Sequence, residues 1–137
     1  MADVLALEVV TPERLLVRED VTAVQAPATT GYLGILPGHA ALLAELGIGF
    51  LSYEAGGKRW YLAVHSGYLE VLADRVRVLA TGAERAEEID VERAKTAMKR
   101  AQEQILNPSL GVDPAAALNA MQRAQARLDA AAQKQLA

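Results

Sequence analysis

Val76-Arg77-Val78-Leu79-Ala80-Thr81-Gly82 and, a few residues on, Val91-Glu92-Arg93-Ala94-Lys95-Thr96-Ala97-Met98 decide the fold between them. The first stretch is a short β-rich run, in which Val76, Val78 and Ala80 take alternate places. After Gly82 the period changes. Val91, Ala94, Met98, Ala101 and Ile105 recur at alternating steps of three and four, the stripe of a packed helix. Strands therefore come first and helices second, with the break near residue 84.

Reading back toward the N-terminus, the strand signal holds. Val4-Leu5-Ala6-Leu7-Glu8-Val9-Val10 ends at a Thr11-Pro12-Glu13 turn. Leu15-Leu16-Val17 and Val21-Thr22-Ala23-Val24-Gln25-Ala26 flank the charged triplet Arg18-Glu19-Asp20, which reads as a separator. Ala55-Gly56-Gly57-Lys58 is a hairpin turn between Phe50–Tyr53 and Arg59–Val64. Tyr68–Leu72 and Val76–Ala80 follow, joined by Ala73-Asp74-Arg75. The glycines at 31, 34, 38, 47 and 49 read as turn residues. Short strands spaced evenly by turns predict an antiparallel β-sandwich or barrel, and about eighty residues can enclose its core.

Reading forward, Asp90 is a good N-cap for the first helix. A second helix opens at Asp113-Pro114, an N-cap with proline at the first helical position, and its stripe is Ala117, Met121, Ala124, Leu128 and Ala131. The loop Asn107–Val112 folds one helix back on the other. The expected class is thus a sandwich over residues 1–84 and a two-helix antiparallel hairpin over 85–137. Both stripes are alanine-rich, so each helix buries little beyond its partner, and the hairpin is expected to be able to detach or straighten. Folding about the loop brings Arg93 level with Arg127, and Arg100 close to Arg123. Like charges at one level repel, opposing closure, unless an anion lies between them. A solvated basic face is the plainer alternative.

Composition narrows the chemistry. The chain has no cysteine, hence no disulfide, thiolate metal site or cysteine nucleophile. Its start has no basic n-region, and no apolar run approaches the ~20 residues of a membrane span. Residues 1–89 carry a balance of −5 and residues 90–137 one of +2, within a net charge of −3. The weakly basic tail has no aromatic residue, which argues against nucleic-acid binding and suits a polyphosphate or an acidic protein surface. His39 and His65 have no carboxylate at a useful local spacing, no serine sits in a nucleophile elbow, and no Walker-type loop occurs. The expectation is no catalytic residue and no metal, with the two histidines structural or at an interface.

One segment is more distinctive. Gly34-Ile35-Leu36-Pro37-Gly38-His39, followed by Leu42-Leu43 and then by Gly67-Tyr68-Leu69-Glu70-Val71, resembles the epsilon subunit of F-type ATP synthase, and the resemblance extends over essentially the whole chain. It implies a β-sandwich followed by a helical hairpin, in a non-catalytic subunit of the rotating central stalk. The implied partners are the gamma subunit, the rotor c-ring and the catalytic alpha/beta head, at the cytoplasmic face of the inner membrane and peripheral to it. Ile89-Asp90-Val91-Glu92-Arg93-Ala94 is similar to the motif of nucleotide-binding members. That similarity implies ATP as a regulatory ligand, with no cofactor required, held by Glu84, Asp90, Arg93, Ala94, Arg100, Arg123 and Arg127. Arginine forks suit phosphate oxygens.

Two departures bear on the details. Ser66-Gly67 stands where paired glycines are common, and Thr29-Thr30-Gly31-Tyr32 lacks the usual acidic residues. Rotor-ring contact is therefore expected to rest on Tyr32, His39 and backbone groups, and the apolar Leu42 and Leu43 of the Gly34–Leu46 segment are expected to meet a partner as well. The competing reading is a free-standing nucleotide-sensing module, which would purify alone rather than with large membrane-associated partners.

Overall fold

The computed structural model describes residues 3–136. Seven strands, β1 (Leu5–Val10), β2 (Leu15–Val21), β3 (Ala23–Ala28), β4 (Gly31–Ile35), β5 (Leu42–Ala55), β6 (Lys58–Val71) and β7 (Arg75–Arg85), lead into helices α1 (Val91–Leu106) and α2 (Pro114–Leu136). The strands run in the order β2-β1-β7-β6-β5-β3-β4. Every neighbouring pair is antiparallel except β1 and β7, which pair in parallel from Ala6↔Arg75 to Val10↔Leu79. Side chains from all seven strands, among them Leu7, Val17, Val24, Ile35, Leu51, Leu62 and Val78, share one buried cluster. A flat sheet could not bring them together, so the sheet is doubled over on itself, as a sandwich requires.

β5 and β6 make the fold possible by serving both layers. They pair without interruption from Leu42↔Val71 to Ala55↔Lys58, apart from the level of Gly47 and Ser66. On one side of that level the core residues are Leu46 and Leu69; on the other they are Leu51, Tyr53, Leu62 and Val64. The inward parity therefore reverses in both strands where the pair passes Gly47 and Ser66, because a single-residue step turns a strand's faces over. Ser66 (φ 51°) and Gly67 (φ 123°) carry the distortion. A Cβ at Gly67 would lie 1.9 Å from the Leu79 carbonyl oxygen, so only glycine fits.

Several sequence expectations change accordingly. The breaks expected before Phe50 and at His65–Gly67 are bends within two fourteen-residue strands. Gly34, Gly47 and Gly49 lie inside strands rather than turns. Arg18-Glu19-Asp20 continues β2, with Arg18 bound to Glu8 of β1. The Gly56-Gly57 hairpin turn and both helix starts are as expected: Asp90 accepts from the Arg93 N–H (3.1 Å) and Asp113 from that of Ala115 (3.2 Å).

The helices differ from expectation in two respects: Ile105, the last residue of the expected α1 stripe, is exposed near the end of that helix, and α2 buries more than its seam. α2 has two buried faces. Ala117, Ala124 and Ala131 are buried in keeping with a seam toward α1, while Ala126 and Ala130 pack on Tyr61 and Ala63 of β6 with Ile48, Phe50 and Ile89. The continuous buried run Tyr61–His65 follows from this, since its strand is covered by the sandwich core on one side and by α2 on the other.

Candidate functional site

Where β7 hands over to the helices, a cleft of about 370 Å³ is lined by Glu84 of β7, Glu88 of a 3-10 turn, Asp90, and Arg93, Ala94, Ala97 and Arg127 of the helices. Five of the seven residues expected to meet a nucleotide converge there: Glu84, Asp90, Arg93, Ala94 and Arg127. Glu88 and Ala97 are additions that the motif alone did not indicate. Arg100 and Arg123 are not in the lining. Arg100 is exposed on α1, and Arg123 is half-buried and donates to Asn119 Oδ1 one turn back on α2.

The charges in the cleft are mostly spoken for. Arg127 Nε donates to Glu84 Oε1 at 2.5 Å, across from α2 to β7. Glu88 takes Arg14 (3.0 Å) and the Arg85 N–H (3.2 Å). Asp90 caps α1. The expected repulsion between Arg93 and Arg127 is therefore relieved from within the chain, by Glu84. What remains is the Arg93 guanidinium, which has no hydrogen-bonding or ion-pair partner among the described residues. The cleft thus offers one free planar donor fork beside a second whose carboxylate an anion could replace.

The residues expected to contact partners occupy two settings. Tyr32 packs its ring at a tilt against Phe50 (centroids 5.4 Å apart), accepts the Phe50 N–H on its hydroxyl (3.3 Å), and borders a hollow with Gln122, Gln125 and Asp129 of α2. Leu36, His39, Leu42 and Leu43 gather at the loop into β5; His39 Nδ1 donates to the Ala40 carbonyl (2.7 Å), and Leu43 is 71% exposed. A further surface was missed. The registers Tyr68↔Leu79, Leu79↔Val10 and Val10↔Leu15 set four apolar side chains in a row across β6, β7, β1 and β2, and Tyr68, Leu79 and Leu15 are about half exposed. Beside it runs the charged row Glu70–Arg77–Glu8–Arg18, in which Arg77 and Arg18 both bind Glu8. Apolar residues at outward positions of Tyr68–Val71 and Val76–Leu79 were the available signal.

Among the described residues there is no group of three or more His, Cys, Asp or Glu placed to hold a metal, and no helix is long and apolar enough to cross a membrane. The chain matches the family model of the ATP synthase Delta/Epsilon chain beta-sandwich domain over residues 4–86 and that of its long alpha-helix domain over residues 87–135. An ATP synthase epsilon chain from Solibacter usitatus is 63% identical over 98% of this chain and 100% of its own length.

The chain belongs to the ATP synthase epsilon-chain family.

Epsilon chains are non-catalytic subunits of the complex, in keeping with the want of a nucleophile or acid–base constellation in the sequence. The epsilon chain of Koribacter versatilis is 51% identical over 77% of this chain and 74% of its own. The fold is also that of a chain in the Euglena gracilis mitochondrial ATP synthase OSCP/F1/c-ring structure (TM-score 0.74, 22% identity, 100% of this chain and 84% of that one). A chain in the central stalk and c-ring of the Tetrahymena thermophila mitochondrial enzyme matches more loosely (TM-score 0.52, 16% identity, 61% of this chain and 68% of that one).

Proposed function

We propose that this epsilon chain works in the central stalk at the cytoplasmic face of the inner membrane. Its sandwich, residues 1–84, docks the gamma subunit and the rotor c-ring. Its hairpin, residues 85–137, binds ATP when folded down and restrains hydrolysis at the alpha/beta head when released. The observation that carries the ATP reading is the unpartnered Arg93 guanidinium, which lines with Arg127 a cleft of nucleotide-compatible size. Arg100 lies about 10 Å further along α1 and Arg123 about 6 Å back along α2, at 1.5 Å per residue. In antiparallel helices both displacements run the same way, toward the hairpin loop, so a polyphosphate entering at Arg93 meets them next. The apolar row at Tyr68, Leu79 and Leu15, together with Leu42 and Leu43, supplies surface for the sandwich's partners.

Isothermal titration of the full chain with ATP tests the ligand. Removing Arg93 or Arg127 should weaken binding about 10- to 150-fold, the equivalent of ~1.5–3 kcal/mol for a charge-assisted hydrogen bond. No heat at millimolar ATP would overturn the ATP reading. One observation favours a second reading: Arg127 already holds Glu84. If that pair is only a clasp between α2 and the sheet, Arg127→Ala loosens the hairpin in the absence of any nucleotide, and Arg93→Ala does nothing.

A further inference from the structure

His65 projects from the outer face of β6 directly beneath α2. It is 7% exposed, and neither ring nitrogen has a hydrogen-bond partner among the described residues. The packing makes a place for it. Its cross-strand neighbour on β7 is Gly82, where an added Cβ would come within 2.9 Å of His65 Cδ2. On β5 its neighbour is Ile48, which carries no charge. The charged groups facing it are Arg123 and Arg127 from α2 and Glu84 from β7. Glu84 is already bound to Arg127. An imidazolium here would sit in an apolar slot beside the Arg127–Glu84 ion pair, with the Arg123 guanidinium of α2 adding further positive charge.

We infer that His65 is a proton-sensitive latch for the hairpin, its neutral ring admitting α2 to the sheet and its protonated ring expelling it. This rests on the reading of the hairpin as a detachable arm. Burial first and Arg127 second, with Glu84 opposing them and Arg123 adding the least, push the His65 pKa down to about 4 when α2 is seated. An exposed imidazole titrates near 6.5. Between those values the released form binds more protons than the docked one, so docking is at full strength above about pH 6.5 and weakens as the pH falls toward 4. Going from pH 7.5 to 5.5 should lower the docked-to-released ratio about tenfold.

The test uses the full chain. The sequence has no cysteine, so Thr30→Cys in the β3–β4 turn and Gln135→Cys at the end of α2, both exposed positions, accept a donor and an acceptor dye. Energy transfer then reports the separation of α2 from the sandwich at pH 7.5 and 5.5, and NMR titration reports the His65 ring. The expected result is a roughly tenfold shift toward release, reduced to a small residue in both His65→Gln and His65→Leu, with the ring titrating well below 6.5. A ring titrating near 6.5, or an unchanged pH response in both variants, overturns the latch. Adding ATP at pH 7.5 separates the two readings. A chain whose dye separation answers to ATP but not to pH fails as a latch alone, and one that answers to neither fails as a detachable hairpin too.

Discussion

Replacing Ala130 with leucine should prise α2 from the sheet. Ala130 is fully buried and, with Ala126, forms α2's side of the contact with Tyr61 and Ala63. At ~0.8 kcal/mol per buried carbon, the two alanine methyls contribute only ~1.6 kcal/mol; the rest of the apolar contact comes from Tyr61, Phe50, Ile48 and Ile89. Three added carbons have nowhere to go between a helix and strand backbone. Overpacking of this kind typically costs ~1–3 kcal/mol, which weakens docking about 5- to 150-fold. Hydrogen exchange of the α2 amides is the direct assay, with protection expected to fall by that factor while the β1 and β7 amides keep theirs. Ala132→Leu, at an exposed position on the same helix, is the control and should change nothing. Unaltered α2 protection in the Ala130 variant would refute the argument that a close alanine contact seats the helix.

Three other outcomes follow. Gly67→Ala should destabilise the sandwich by more than ~4 kcal/mol, seen as failure to fold or a collapsed melting temperature, because its Cβ would lie 1.9 Å from the Leu79 carbonyl oxygen. Asp90→Ala removes the cap on α1 and should cost ~1 kcal/mol, read as lost helicity by circular dichroism. The Glu8 carboxyl is held below its ordinary value chiefly by its hydrogen bond from Arg18, with Arg77 adding to it. Its contribution to stability is therefore present above the unfolded carboxyl's pKa and is lost as pH falls through the lower folded value. Glu8→Gln should flatten the acid limb of the stability–pH curve, in low salt more than in high.

The order of strands and helices was legible because each half keeps its own period, and the caps at Asp90 and Asp113 were legible because they are local chemistry. The length of β5 and β6 was not. Gly47, Gly49, Ser66 and Gly67 carry the same composition whether they end a strand or bend it, and only the cross-strand partner distinguishes the two. The second face of α2 was hidden for a related reason. Ala126 and Ala130 look like any alanines on a helix, and their burial depends on Tyr61 and Ala63 being brought beneath them. In the cleft, the arginine motif foretold the convergence of Arg93 and Arg127. Glu84 was expected in the same site, but which arginine it would bind was not legible, since that contact spans 43 positions of sequence.

The parallel pairing of β1 with β7 bears on how the chain is born. Partners such as Ala6 and Arg75 are 69 residues apart, so β1 and β2 emerge from the ribosome as a hairpin whose inner edge has no neighbour. At ~5–20 residues per second, roughly 3–14 s of synthesis pass before β7 arrives to cover it. Through that interval Leu5, Leu7 and Val9, all fully buried at the end, are open to mispairing with other nascent strands. Only then can the two layers close, and the helices are made last, onto a sandwich already standing. Slowing translation across β5 and β6 would lengthen the exposure. Aggregation of this chain should therefore respond to codon speed in the middle third of its message more than to codon speed in the helices.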